Sequence, residues 1–466
     1  MFRKDKIELW LICIVALILR ATFTLFFAKD FFNRPDIYSS GDTNSWLISF
    51  INLWENGQFS ANIQHEYGYF FRMPGYSFFM GIFYLGFGNN PTILFPIIGW
   101  TQILIDIFSV IMVYKISLVI FNSKKTAIIT SGLYTTYPFI IVWNPVCYSE
   151  TTSVFFLLLS LFFYFNRKSL YSLLFSGLFL GIGILTRPQI IIFIPVFVSF
   201  LFIYPRKEIP LKYIIFFLIG LAVTYGLWPV RNIINHKKII LTQDLRSAKN
   251  WNSDVISFMQ YTYSVKAEWE PQFTSIIHNK KTEWPLISYR TKPDSILLEF
   301  AVHLSKNYGS GFSYWNGYWK DTIPEDNSKT KLISTIFTYL RINQIKHNPV
   351  NFWLKVPLQN LSKAIFKISL YKSETLVQKM GSYLFFYRTF LILFGFAGSI
   401  FLLFYAKPLG WFFTSCFILL YFILCFGALP QMRNIEMRYF LHADILLLFP
   451  ASYLFSIIFT KFARRT

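Results

Sequence analysis

Long apolar runs separated by short basic clusters dominate the chain. Ten of these runs approach the roughly 20 apolar residues that a membrane-spanning helix needs. They lie at residues 7–29, 96–121, 126–142, 150–165, 169–186, 189–204, 212–229, 382–405, 409–428 and 443–460. The pattern predicts an all-α polytopic membrane protein with about ten transmembrane helices. A further apolar run, 76–87, would reach only about 18 Å as a helix, so we expect it to lie in or dip into the membrane surface.

Basic residues in the short loops predict the orientation. With ten spans, all of these clusters fall on one side of the membrane: Arg3, Lys4 and Lys6, Lys124–Lys125, Arg167–Lys168, Arg206–Lys207, Lys407, and Lys461 with Arg464–Arg465. The positive-inside rule assigns that side to the cytoplasm, so we expect both termini there, in the inner (cytoplasmic) membrane. The first apolar run carries Arg20 and lacks a small-residue cleavage site, so no cleaved signal peptide is expected.

Two long polar segments then lie on the outer side. The chain divides into a transmembrane module at 1–230 with a first outer loop at 30–95, an extracytoplasmic segment at 231–381, and C-terminal transmembrane helices at 382–466. We expect interfacial helices in the first outer loop and at 351–369, where apolar residues and lysines interleave at helical spacing.

Composition supports this class. Of 466 residues, 54% are apolar and 14% are charged, which excludes an ordinary soluble domain. The net charge of +21 invites a nucleic-acid interpretation, but basic residues between apolar spans are explained by topology, so we predict no nucleic-acid partner. The four cysteines lie mostly in apolar runs and predict neither a disulfide framework nor a metal site.

Two carboxylates stand where chemistry is possible. Asp42 precedes a helical stripe of apolar residues that begins at Trp46, and Gly57 lies where that helix would end. Glu150 begins a predicted span, where burying a carboxylate is costly. Helix capping explains each residue without function. A carboxylate at the membrane surface is also suited to accept a proton from a hydroxyl substrate.

Four arginines lie on the side that the positive-inside rule leaves poor in basic residues. Arg72 precedes a Pro-Gly turn, Arg187 occupies a tight turn between spans, Arg231 ends a span, and Arg438 with Tyr439 begins the last one. Snorkelling to lipid headgroups or ion pairing explains each arginine alone. Together, facing two carboxylates, they suit a phosphate-bearing ligand.

The order of these motifs resembles the GT-C membrane glycosyltransferases, particularly protein O-mannosyltransferases and the lipid A aminoarabinose transferase. The resemblance covers residues 8–460 and rests on Gly41-Asp42-Thr43, Phe71-Arg72-Met73-Pro74-Gly75-Tyr76, Tyr148-Ser149-Glu150, Leu185-Thr186-Arg187-Pro188, Trp228-Pro229-Val230-Arg231-Asn232 and Arg438-Tyr439. One departure is Asp42-Thr43, where protein mannosyltransferases commonly have an Asp-Glu pair, and it leaves the acceptor class open.

The resemblance implies an inverting transfer of a sugar from a polyprenyl-phosphate carrier to a glycan, lipid or protein acceptor on the outer face of the membrane. Asp42 and Glu150 would be the catalytic carboxylates, with Asp42 taking the acceptor proton. Glu150 would orient a hydroxyl or hold an arginine. The lipid phosphate and donor would be bound by Arg72, Arg187, Arg231, Arg438 and Tyr439. No cofactor beyond the carrier lipid is implied, and a divalent metal is not expected.

Two other functions stay open. A lipid-linked glycan polymerase or ligase uses pyrophosphate carriers and arginine and histidine residues of a late outer loop, whereas the histidines of 231–381 are scattered. A flippase or transporter of lipid-linked sugars needs charges near the middle of the membrane, for which Arg20, Asp106 and Lys115 are the support.

Overall fold

The computed structural model describes residues 2–64, 66–166, 169–203, 210–244, 252–316, 327–367, 376–427 and 436–463. These residues form helices and contain no strand, which confirms the predicted all-α fold. The chain forms two compact units. The first comprises Met1–Asp244, Phe366–Leu420 and Met437–Thr466, and the second comprises Leu245–Ile365 and Tyr421–Glu436.

The first unit contains the apolar helices. In chain order these are α1 (Phe2–Thr22), a π-helical turn (Phe23–Phe27), α2 (Ala28–Phe32), α3 (Thr43–Asn56), α4 (Pro74–Phe87), α5 (Pro91–Phe121), α6 (Lys124–Thr135), α7 (Pro138–Trp143), α8 (Glu150–Phe165), α9 (Leu170–Thr186), a 3-10 turn (Pro188–Phe193), α10 (Ile194–Ile203), α11 (Pro210–Thr224), α12 (Leu227–His236), and, after the second unit's helices, α19 (Leu376–Tyr405), α20 (Lys407–Phe426) and α21 (Met437–Ala463).

Five stretches of helix among the described residues are long and apolar enough to cross a membrane: Ile7–Phe32, Pro91–Phe121, Lys379–Tyr405, Lys407–Phe426 and Met437–Thr460. A sixth results if α11 and α12, which are bent by 48° relative to each other, form one broken span. Three shorter apolar helices lie at Glu150–Phe165, Leu170–Thr186 and Pro188–Ile203. The chain is thus a multi-span membrane protein, while the count of ten spans stays a prediction.

Proline and glycine residues set two of the helix boundaries. The run 126–142 is divided because Tyr137 precedes Pro138, and a residue before proline is driven out of the helical region; its ψ is 114°. The amphipathic α3 ends at Gly57, whose φ of +69° favours glycine, as the sequence predicted. The short run 76–87 lies within the 14-residue α4, which does not reach spanning length.

The second unit is built from α13 (Ser253–Val265), α14 (Glu270–Ile277), α15 (Lys292–Tyr308), α16 (Ser310–Asn316), α17 (Ser328–His347) and α18 (Val356–Phe366), with a 3-10 turn at Leu286–Ser288 and a π-helical turn at Asn351–Lys355. Its core is aromatic and apolar, centred on Phe258, Tyr261, Phe312 and Phe337. The helix predicted at 351–369 is present over Asn351–Phe366, and its placement at a membrane surface stays a prediction.

Candidate functional site

Asp42 does not cap the helix it precedes. It occupies the N-cap position of α3, yet its side chain makes no capping hydrogen bond. Its Oδ1 instead lies 2.7 Å from Nη2 of Arg72, and its Oδ2 lies 3.2 Å from Nη2 of Arg438. The capping explanation of this residue is therefore wrong, and its carboxylate is held by two guanidinium groups.

Glu150 joins the same set of charges. Its Oε1 lies 2.8 Å from Nη1 of Arg187 and 3.8 Å from Nη1 of Arg438. Arg438 therefore stands between the two carboxylates. The five side chains form one continuous chain of alternating charge, which we call the ion-pair array: Arg72, Asp42, Arg438, Glu150 and Arg187.

The local sequence explains how the arginines reach the array. Pro74 occupies the first turn of α4 and Met73 before it is extended, so Arg72 lies just outside that helix. Arg187 follows the last residue of α9 and adopts an extended conformation because Pro188 comes next. Gly75 allows the two segments to touch, since a Cβ there would lie 2.5 Å from the backbone nitrogen of Thr186.

Aromatic faces and hydroxyl groups fix the guanidinium planes. Arg72 lies 4.2 Å from the ring centroid of Trp46, and its Nε donates to Ser45 Oγ at 2.7 Å. Arg438 lies 4.8 Å from the ring of Tyr148. Cation–π contacts and charge-assisted hydrogen bonds of this kind hold an arginine in one orientation before any ligand arrives.

Tyr439 packs within the array. Its ring lies 5.7 Å from Arg187 and 5.5 Å from Arg438. Arg187 also donates from Nη1 to Ser149 Oγ at 3.1 Å. The predicted residue Tyr439 thus orients two of the predicted arginines.

The two carboxylates differ in accessibility. The Asp42 side chain is 36% exposed, whereas Glu150 is 1% exposed. Desolvation raises the pKa of Asp42, but the charges and hydrogen bonds of Arg72 and Arg438 outweigh it and lower the pKa to about 2. Asp42 is therefore ionised near neutral pH and accessible to a ligand. Glu150 is buried and holds Arg187 and Arg438.

Arg231 lies outside the ion-pair array. Its guanidinium donates to the carbonyls of Phe59 and Tyr69, at 2.9 Å each, and lies 5.1 Å from the ring of Trp228. It lines a cavity of about 860 Å³ whose walls are mostly apolar. The cavity is bounded by Leu53, Phe59, Phe78, Leu185, Trp228 and Arg231, with Pro74 and Gly75 at the same wall.

Two residues close to the array, His442 and Ser45, are not among the predicted site residues. His442 lies one helical turn after Arg438 and is buried, with Nε2 2.9 Å from Ser153 Oγ. Ser45 follows Asp42 by three residues, which is a helical neighbour spacing that the sequence does show. Within the described residues, no group of three or more His, Cys, Asp or Glu side chains is placed to hold a metal.

Comparison with known proteins finds a family whose model matches part of this chain. Residues 72–230 match the family model for dolichyl-phosphate-mannose-protein mannosyltransferases, and they include Arg72, Glu150 and Arg187 of the array. The chain is thus similar to GT-C glycosyltransferases. The resemblance inferred from the sequence is thereby confirmed. A search of curated proteins finds no match.

Solved structures of an oligosaccharyltransferase share the fold of this chain. AglB from Archaeoglobus fulgidus, solved with an inhibitory peptide and a dolichol-phosphate, is 12% identical with a TM-score of 0.53; the alignment covers 98% of this chain and 51% of that one. The apo form of the Archaeoglobus fulgidus oligosaccharyltransferase is 13% identical with a TM-score of 0.51, covering 99% and 51%. The present chain thus spans about half the length of these relatives.

Proposed function

We propose that this protein is an inverting glycosyltransferase that moves a sugar from a polyprenyl-phosphate carrier to an acceptor on the outer face of the inner membrane. The observation that carries the proposal is the ion-pair array: three arginines and one accessible carboxylate meet beside apolar helices. The GT-C fold and the mannosyltransferase match at 72–230 support the same reaction class.

Asp42 is the proposed proton acceptor. It is ionised and the more exposed of the two carboxylates, so an acceptor hydroxyl can approach it. Its low pKa makes it a weak base in the free protein. A donor phosphate that draws Arg72 and Arg438 to itself would weaken their hold on Asp42 and raise its pKa. Binding of the donor would thus make Asp42 a stronger base.

The arginines are the proposed phosphate ligands. Three guanidinium groups and two carboxylates leave the array with one net positive charge, which matches the single charge of a polyprenyl phosphodiester. A pyrophosphate carrier would bring at least one charge more. Glu150 acts by holding Arg187 and Arg438 in place, and these stabilise the leaving lipid phosphate as the sugar passes through an oxocarbenium-like state.

Arg231 and its cavity are the proposed site for the lipid part of the donor. The apolar walls suit an isoprenoid chain, and Arg231 adds a cation that is paired only with carbonyl and amide oxygens among the described residues. Pro74, at the cavity wall, is two residues from Arg72 of the array. A lipid phosphate near this edge would meet cations on both sides.

The transporter alternative gains no support from its charges. Arg20 and Asp106 are fully buried and pair with each other at 2.5 Å, so neither is available to carry a cargo. Lys115 is exposed on α5 near the ring of Phe162. These residues behave as parts of the helix packing.

The proposal is tested by a transfer assay in membranes with a labelled polyprenyl-phosphate sugar pool. Asp42→Asn should lower transfer per inserted protein by about 10²–10⁴-fold, as expected for loss of a general base. Ser160→Ala, which removes a buried hydrogen bond between α8 and α9, is the matched control and should retain activity. Near wild-type transfer by Asp42→Asn would exclude Asp42 as the base.

A further inference from the structure

The segment 144–149 connects α7 to α8 and ends at Glu150 without forming a helix. It is buried throughout. Backbone carbonyls that lack helical partners in apolar surroundings need donors from elsewhere, because each unsatisfied group is costly. The source of these donors therefore decides where the segment, and with it Glu150, is placed.

Gln102 of α5 supplies two donors, although the Val146 carbonyl also accepts from the backbone nitrogen of Tyr148 at 2.7 Å. Nε2 of Gln102 donates to the carbonyl of Asn144 at 3.0 Å and to that of Val146 at 2.8 Å. Its Oε1 accepts from the hydroxyl of Tyr76 at 2.8 Å, which fixes the orientation of the amide. Gln102 is fully buried, and both the nitrogen and the oxygen of its amide are hydrogen-bonded.

Asp106, one turn further along α5, holds the start of the same segment. It accepts from Nδ2 of Asn144 at 3.1 Å, and Oδ1 of Asn144 in turn accepts from Thr151 at 2.8 Å. Asp106 is itself fixed by Arg20 and by the hydroxyl of Tyr134, each at 2.5 Å. The start of the segment is therefore attached to a rigid part of the helix packing.

The other side of the segment contacts the first outer loop. Oγ1 of Thr43 donates to the carbonyl of Cys147 at 3.1 Å, and the nitrogen of Cys147 donates to the carbonyl of Tyr38 at 2.7 Å. Thr43 directly follows Asp42. Both carboxylates of the ion-pair array are thus attached to one segment, Asp42 through Thr43 and Glu150 through the chain itself.

We propose that Gln102 is a positioning residue for the transfer reaction, holding the segment 144–149 so that Asp42 and Glu150 share Arg438. This inference rests on the proposed function. Gln102 touches neither carboxylate and acts only through the segment. If the segment shifts, the spacing of the two carboxylates changes, and a displacement of about 1 Å at a reacting group can cost on the order of 10²-fold in rate.

The test compares Gln102→Met with Thr130→Val in purified protein. Gln102→Met keeps the length of the side chain and removes both donated hydrogen bonds. Thr130→Val is the matched control, because Thr130 is equally buried and bonds Ser452 at 2.5 Å, between α6 and α21. We expect Gln102→Met to lower kcat by about 10–100-fold at nearly unchanged donor KM, and Thr130→Val to leave both near wild type.

A double-mutant cycle separates positioning from general stability. In a Glu150→Gln background, Gln102→Met should have a much smaller effect than in the wild type, since both changes disturb the same array. Tyr76→Phe removes the hydroxyl that orients Gln102 and should lower kcat in the same direction by a smaller factor; it also serves as the test if Gln102→Met does not fold.

The outcomes are distinct. Sugar transfer by the wild type but not by Asp42→Asn would support the proposed function. If, in that case, Gln102→Met has a kcat like that of Thr130→Val, the positioning role is wrong. It is also wrong if the effect of Gln102→Met on kcat is the same with and without Glu150→Gln. If the wild type transfers no sugar from any polyprenyl-phosphate donor, the proposed function fails and the positioning role fails with it.

Discussion

Two kinds of ion-pair cluster occur in the first unit, and they differ in charge balance and in exposure. Arg388 of α19 pairs with Asp444 of α21 at 2.8 Å, both 1% exposed, and Arg20 pairs with Asp106 while fully buried. Each of these clusters has one arginine, one aspartate and a tyrosine hydroxyl bonded to the aspartate. The ion-pair array has three arginines and two carboxylates, and its Asp42 is 36% exposed.

The difference in charge balance and exposure distinguishes ion pairs that stabilise helix packing from a cluster that is suited to bind a ligand. A buried one-to-one pair with its extra hydrogen bond is satisfied by the protein alone, so it ties helices together and has nothing left for a ligand. An array whose five side chains carry one surplus positive charge, with an accessible carboxylate among them, suits an anionic ligand. Arginine and aspartate therefore hold helices together in the buried pairs and are available to a ligand in the ion-pair array. The net charge of a cluster and the exposure of its carboxylate distinguish the two kinds of cluster.

The largest effect is expected when an aspartate is changed to asparagine in each kind of cluster. Asp42→Asn should abolish most transfer, by about 10²–10⁴-fold, while leaving thermal unfolding close to wild type. Asp444→Asn removes the buried ion pair with Arg388 and should destabilise the fold by about 3–5 kcal/mol. Activity per folded protein and unfolding temperature in detergent measure the two effects. If Asp42→Asn were the destabilising change, the distinction between the clusters would be wrong.

A smaller effect concerns the pH dependence of the array. Arg438→Gln removes one of the two charges that lower the pKa of Asp42 to about 2, so that pKa should rise toward or above its ordinary value of 3.8. The base then protonates at higher pH, and the acidic limb of the kcat/KM profile should move to higher pH. Loss of one charge-assisted contact to phosphate should also lower kcat/KM by about 10–100-fold at neutral pH.

An unchanged acidic limb in Arg438→Gln would mean that another group controls the profile. Arg438→Lys is the control, because it retains the charge beside Asp42. It should keep the acidic limb near its wild-type position even if the geometry of phosphate binding suffers.

A still smaller effect is expected at the cavity. Arg231→Met should raise donor KM by roughly tenfold, as for loss of a hydrogen bond to a charged group, with little change in kcat. The control is Lys238→Met, since Lys238 is already paired with Glu66 at 2.6 Å. Equal effects of the two changes would show that general positive charge, and not Arg231, attracts the donor.

The smallest expected effect is that of a chelator. We predict that EDTA leaves the rate of transfer unchanged, since the arginines are proposed to stabilise the leaving phosphate. The measurement is the transfer rate before and after chelation, with Mg²⁺ and Mn²⁺ added back. Loss of activity that either metal restores would assign part of that role to a divalent ion.

The sequence predicted the fold class, the non-spanning length of the 76–87 run and the end of α3 at Gly57, because each follows from local length, hydropathy or backbone preference. Order along the chain also singled out all five residues of the array as candidates. It could not show that Arg438 lies between Asp42 and Glu150, since that depends on packing between distant helices.

The same reason limits what the sequence shows of two other features. Arg231 resembles the other arginines in its position at the end of a span, and only the fold shows that it lies outside the array and lines the cavity. Arg20 and Asp106 suggested transport as separate charges in a membrane, and only the fold shows that they are each other's partner.

Purified protein in liposomes that contain a polyprenyl-phosphate sugar and a candidate acceptor would show whether the protein transfers the sugar and whether Asp42 is required. Mass spectrometry would follow the glycosylated acceptor and the released polyprenyl phosphate together, in the wild type and in Asp42→Asn. We predict that both products appear in equal amounts in the wild type and that neither appears with Asp42→Asn. Movement of the intact lipid-linked sugar across the bilayer without either product, or consumption only of a pyrophosphate-linked donor, would contradict the account.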